Sequence, residues 1–319
     1  MNLFQRAMRF LFTIIGLIGG TAVSVALYFA RQIIRPDRQP LWGTPGDLGL
    51  AYENIFFTAQ DGVHLSGWFI PAANPNGSTL ILVHGWPWNR LGDSANNFLA
   101  NILGSRPLDL LRLAYNLHQE GFHLLMFDLR NHGESAAAPP VTFGQEEMRD
   151  LLGAVSYVSQ RPEVNPKRIG AIGFSMGANA VLYALSRTDQ IRAAVAVQPT
   201  SVSVFAHRLG NHLFGAFSRL VLPLAELTYR LAGGTPFANI RPGTAVSRAY
   251  PAPVLYIQGT GDPWGSAADV AAMAAVTVRA ADPIFVESNH RYDGYQYAVD
   301  HPKLLAAFFE QHLSVIGNQ

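Results

Sequence analysis

Apolar positions follow three different regimes along the chain. From Phe10 to Ala30 there are 21 residues without a charge. A helix of that length rises roughly 30 Å, the thickness of a bilayer's hydrocarbon core. From about residue 52, short apolar runs alternate with amphipathic stretches. Runs 52–59 and 63–70 read as strands joined by an Asp61-Gly62 hairpin turn. Further strands are expected at 79–83, 122–127, 168–174, 191–197, 254–258 and 284–286. Helices are expected from near Pro107 to Gly121 and at 145–160, 176–187, 266–275 and 302–313, the last with Asp300 near its N-cap. Between 202 and 250 the alternation lapses into apolar helical stretches without a strand. The region 86–106 is polar and unassigned.

Strands alternating with helices predict an α/β fold: a mostly parallel central sheet with helices on both faces, antiparallel at the hairpin edge. The chain divides into a tail at 1–9, a transmembrane anchor at 10–30, a linker at 31–50 rich in Pro, Gly and Arg, and a domain at 51–319 carrying the 202–250 segment as a helical insertion. A secretory signal is the rival reading of the apolar run. Signals have shorter apolar regions, about 7–15 residues, and this run continues past the small-residue triplet Ser24-Val25-Ala26. Arg6 and Arg9 before the run are balanced by Arg31, Arg35 and Arg38 after it, so orientation stays open.

Charge narrows the chemistry. Lys plus Arg is 23 against 22 Asp plus Glu, without a basic run, which argues against a nucleic-acid partner. With no cysteine there is no thiolate metal site, disulfide or Cys nucleophile. H-E-x-x-H and P-loop motifs are missing, and His207 and His212 have the wrong spacing for two ligands on one helix face. No metal and no cofactor are expected.

Gly173-Phe174-Ser175-Met176-Gly177 fits G-x-S-x-G, fed by an apolar strand and followed by a helix, the strand–turn–helix setting the motif requires. A serine hydroxyl needs a base, and the base needs an orienting carboxylate, in chain order Ser, Asp or Glu, His. Five histidines follow Ser175. His207 and His212 fall in the insertion, His312 inside the last helix and His301 at its start, leaving His290 in a loop just after a late strand. Asp262 stands at the C-terminal end of strand 254–258, whereas Asp269 and Asp282 are worse placed and Asp189, Asp293 and Glu287 are distant alternatives. The expected oxyanion donors are the backbone N–H groups of Met176 and Trp86. Trp86 and Trp264, at the ligand edge of the sheet, are expected to line the substrate pocket.

Taken together, His84-Gly85-Trp86, the block Asp128–Ser135, Gly173–Gly177, Gln258–Asp262 and Ser288-Asn289-His290 resemble the successive signatures of the α/β-hydrolase superfamily, in its serine-hydrolase branch, over about 52–315. The resemblance implies a structural rather than catalytic role for Asp128–Ser135 and a cap at 202–250. Two departures stand out: the long polar stretch after Trp86, and Pro263-Trp264-Gly265 after Asp262 in place of a common apolar pair. The expected function is hydrolysis of a carboxylic ester or thioester with a hydrophobic acyl part, on a small-molecule or lipid-like substrate, through an acyl-enzyme. An aminopeptidase-like or acyl-transfer enzyme of the same fold is the first alternative, and a catalytically silent membrane-anchored binding module the second.

Overall fold

The computed structural model describes residues 3–314. Ten strands and eleven α-helices follow in chain order: α1 Leu3–Ile34, β1 Glu53–Thr58, β2 His64–Ile70, β3 Thr79–Val83, β4 Gly92–Asp93, α2 Phe98–Leu103, β5 Leu108–Asp109, α3 Leu110–Gln119, β6 His123–Phe127 and α4 Glu147–Ser159. Then come β7 Ile169–Phe174, α5 Met176–Ala184, β8 Ile191–Val197, α6 Val202–Phe214, α7 Ser218–Leu231, α8 Pro242–Val246, β9 Val254–Gly259, α9 Ala267–Val276, β10 Ile284–Val286, α10 Arg291–Asp300 and α11 Pro302–Leu313.

Eight strands form one sheet in the order β1-β2-β6-β3-β7-β8-β9-β10. The hairpin pairs Glu53 with Phe69 through Thr58 with His64, and β2 runs antiparallel to β6. All later pairings are parallel. The continuous apolar runs of β3, β6 and β7 are buried along their whole length, as strands covered on both faces must be. One face is covered through Leu151, Ala154, Val181, Val246 and Val270, the other through Leu110, Leu113, Tyr295, Leu305 and Phe309. The 202–250 segment holds α6, α7 and α8, inserted between β8 and β9 at the C-terminal edge of the sheet.

Four regions differ from the sequence expectation. The N-terminal helix does not stop at Ala30. It runs from Leu3 to Ile34, taking in most of the expected tail (residues 1–2, like 315–319 at the other end, lie outside the described residues). Among the described residues, Met8–Ile34 is the one stretch long and apolar enough to cross a membrane. Its C-terminal half lies on α7, where Ala22 and Ala26 are buried against Val221 and Ala225.

Residues 35–50 are not a free linker. Buried Gln39 donates to Asp93 Oδ1 at 3.1 Å, and Asn89 Nδ2 donates to the Gln39 and Pro40 carbonyls at 3.2 and 3.0 Å. Leu50 is buried in the apolar layer that includes Trp68. The polar stretch 86–106 is ordered too: α2 is capped by Asn97, whose side chain accepts from the Ala100 N–H at 2.8 Å, and β4 pairs with β5. Finally, the segment after His290 is a helix, α10, which the sequence pattern did not show.

Candidate active site

Ser175 sits between β7 and α5 with φ 52° and ψ −115°, a positive φ that a non-glycine residue holds only when its surroundings enforce it. The enforcement comes from crowding. A Cβ on Gly177 would lie 2.7 Å from the Val83 carbonyl carbon, and one on Gly173 would lie 2.6 Å from Ala178 Cα. These neighbours are backbone and cannot swing aside. Gly177→Ala is therefore expected to cost about 1–3 kcal/mol, the usual range for overpacking, read as a lowered denaturant midpoint at unchanged slope. Gly85 is similarly tight, since a Cβ there would meet the Trp88 ring at 2.9 Å and Ser175 Cβ at 3.1 Å. The oxyanion-side loop and the serine thus lie backbone against side chain.

Met176 is the first residue of α5, so its N–H is among those with no partner inside the helix and points toward the serine end. Trp86 is buried, and its indole Nε1 donates to the Gln32 carbonyl of α1 at 3.2 Å. Trp86, Met176, Phe205, Trp264, Arg291 and Tyr292 wall the space beside Ser175, so both tryptophans border it. That space measures about 20 Å³, room for about one water and no acyl group.

Asp262 is buried at the end of β9. Its Oδ1 accepts from the Trp264 N–H at 2.9 Å and its Oδ2 from Gln198 Nε2 at 3.4 Å. Its charge partner is Arg291, whose Nη1 lies 3.0 Å from Oδ2. The same guanidinium donates through Nη2 to Ser175 Oγ at 3.1 Å, so it spans the gap between carboxylate and serine. It is stacked among rings, 4.9 Å from the Trp264 centroid, 5.4 Å from Tyr295 and 5.5 Å from Phe205. Burial opposes its charge, but the Asp262 carboxylate together with Tyr295 and Tyr292 outweighs that and holds its pKa above the ordinary arginine value.

His290 follows β10, as the sequence placed it, but its ring is turned away from the expected partners. Its ring does not meet Ser175 or Asp262. Nε2 lies 3.1 Å from the Gly104 carbonyl, and Nδ1 accepts from the Tyr292 N–H at 3.1 Å. The reason is local. α10 begins at Arg291 and takes His290 as its N-cap, with Asp293 closing the capping box onto the His290 N–H at 2.9 Å. The next side chain, Arg291, then turns inward, where Asp262 compensates it. These partners assign His290 as the neutral Nε2–H tautomer, the reverse of what a base oriented by Asp262 requires. Burial, with the Arg106 guanidinium nearby, holds its pKa below the ordinary histidine value. Arg291 is the site residue that sequence reasoning missed.

The Asp128–Ser135 block is a polar keystone behind the site. Buried Arg90 places Nη2 2.6 Å from Asp128 Oδ2 and 2.8 Å from Glu134 Oε2, and donates to Ser66 Oγ at 3.0 Å. The Arg90 and Glu134 N–H groups also donate to Asp128, at 2.7 and 2.8 Å. Among the described residues no group of three or more His, Asp or Glu side chains has the geometry of a metal site.

Known proteins agree with this architecture. A family model described as the alpha/beta hydrolase fold matches residues 78–251. The chain is 28% identical to the protein YfhR of Salmonella typhi over 298 residues, 88% of this chain and 87% of that one. It is 24% identical to the thiohydrolase aneE of Aspergillus aculeatus, over 50% of this chain and 45% of that protein. Among solved structures, the esterase Pf2001 of Pyrococcus furiosus superposes with a TM-score of 0.68 at 26% identity, covering 88% of this chain and 98% of that one. The parallel sheet, the strained serine turn and the family match over more than half its length make this chain a member of the α/β-hydrolase fold family.

Proposed function

We propose that the protein is a membrane-anchored serine hydrolase acting on carboxylic esters or thioesters with a hydrophobic acyl part. The observation that carries this is Ser175 at positive φ between β7 and α5, with Asp262 at the next-but-one strand end and Met176 N–H beside it. Ser175 attacks the acyl carbonyl carbon while His290 takes its proton. The proton then passes to the leaving group, and water releases the acid. The backbone N–H groups of Trp86 and Met176 hold the oxyanion.

For this chemistry the described state is a resting one. Arg291 occupies the base's place, and His290 must re-seat with Nδ1–H toward Asp262. Support for an apolar acyl group comes from a second cavity of about 50 Å³ between α1 and the cap. It shares Phe143, Val202 and Phe205 with the wall around Ser175. The esterase and thiohydrolase relatives suit the same reading, and acyl transfer to an alcohol or thiol is the alternative acceptor step. The buried Arg291 contact favours one rival, the catalytically silent module. The span of α1 is the basis for the anchor.

A fluorophosphonate probe separates these readings. The detergent-solubilised parent is expected to label at Ser175, and Ser175→Ala to lose all labelling. An unlabelled parent that is folded by circular dichroism would put the silent module first.

A further inference from the structure

The cap helix α7 carries a stripe that none of the described residues covers. Leu220, Leu224, Leu227 and Leu231 recur at i, i+4, i+7 and i+11, which places them on one helix face. They are 50%, 36%, 52% and 80% exposed. Arg219 and Arg230 are exposed along the flank of that stripe, while Val221, Ala225 and Tyr229 face inward. An apolar stripe edged by arginines is the pattern of a helix lying at a lipid–water boundary, with the arginine stems reaching back to the headgroups.

Continuity with α1 identifies what covers the stripe. The inward face of α7 holds Val221 and Ala225 against Ala22 and Ala26 of α1, and α1 exposes Leu17, Ile18, Val23 and Leu27 beside that contact. The length of α1 makes the argument quantitative. Its uncharged part begins at Phe10, and α7 is engaged from Ala22. The free stretch 10–21 rises only about 18 Å at 1.5 Å per residue, well short of the roughly 30 Å a hydrocarbon core demands. A bilayer-spanning α1 must therefore use the turns around Ala22 and Ala26 as well. Whatever is clamped to those turns enters the apolar layer with them.

We infer that α7 is a second membrane-contacting element, its leucine stripe set among lipid acyl chains alongside α1. The cap of the Ser175 site then rests in the bilayer surface. This rests on the reading of α1 as a membrane span.

The absence of native cysteine makes the test clean, because each introduced cysteine is unique. Leu224→Cys and Leu227→Cys, with Arg230→Cys as the flank control, are spin-labelled in the full chain in phosphatidylcholine–phosphatidylglycerol nanodiscs. Collision with oxygen is compared with collision with a water-soluble nickel chelate. Labels at 224 and 227 are expected to favour oxygen over the chelate at least fivefold more than the label at 230. Chelate access at 224 and 227 equal to that at 230 overturns the inference. So does dipolar broadening with access to neither reagent, which would seat a second copy of the chain on the stripe. Extraction by alkaline carbonate is read in parallel. Release of the chain overturns the anchor and this inference together, while retention with chelate-accessible leucine labels overturns this inference alone.

Discussion

Ser175→Ala, His290→Ala and the double variant are each expected to lower ester turnover by about 10⁴–10⁶-fold, and by the same amount. Nucleophile and base act as a unit, so removing either forfeits the shared step, and the residual rate comes from the oxyanion donors and binding. Independent contributions would instead multiply. The prediction is sharp because His290 does not touch Ser175 in the described arrangement, whereas Arg291 does. Arg291→Leu is expected to raise fluorophosphonate labelling several-fold, since it frees Ser175 Oγ of a charged donor and leaves Asp262 available to the imidazole. A His290→Ala variant within about tenfold of the parent rate would remove it as the base. The pH profile provides a second readout. The base must be neutral, and its surroundings hold His290 below the usual histidine pKa of about 6.5. Because kcat/KM reports the free enzyme, it should hold at neutral pH and fall only as pH drops below that value.

Breaking the buried pair behind the site should produce the largest loss of stability. Arg90→Met leaves the Asp128 carboxylate buried with only backbone partners, and is expected to cost about 3–5 kcal/mol by equilibrium denaturation at pH 7. The pH dependence gives the sign. Burial opposes ionisation of Asp128, but Arg90, with His84 and the Glu134 N–H, outweighs it and holds the carboxyl below its ordinary value. A carboxylate depressed on folding contributes stability that is present above its unfolded pKa and is lost as pH falls through the folded one. In Arg90→Met that depression shrinks, so the penalty relative to the parent should narrow as pH falls below about 4. A penalty that is flat with pH would show that Arg90 acts through its stacking on Trp68, at 4.7 Å, rather than through its charge.

The parts of this protein that are readable from sequence are those whose cause is local. The serine turn is readable because a strand, two obligatory glycines and a helix are contiguous in the chain. The central strands are readable because burial on both faces demands unbroken apolar runs. Arg291 is not readable. A charged residue is presumed exposed, and the carboxylate that permits its burial lies 29 positions away. The start of α10 is hidden for a related reason: Arg-Tyr-Asp-Gly-Tyr shows little apolar periodicity, and without it His290 reads as a loop residue rather than a cap. The same blindness made residues 35–50 resemble a linker, since Gln39 is held by partners some 50 residues distant.

The bond from Trp86 to the Gln32 carbonyl joins the end of α1 to the loop proposed to hold the oxyanion. An anchor that only tethers is interchangeable: any apolar helix of suitable length would serve, and a water-soluble version could be made by cutting it away. Here the helix end is a structural part of that loop's seat. Exchange or excision of α1 would deprive the Trp86 indole of its acceptor and unroof the cavity under the cap, so a truncated enzyme would report the chemistry of a different active site.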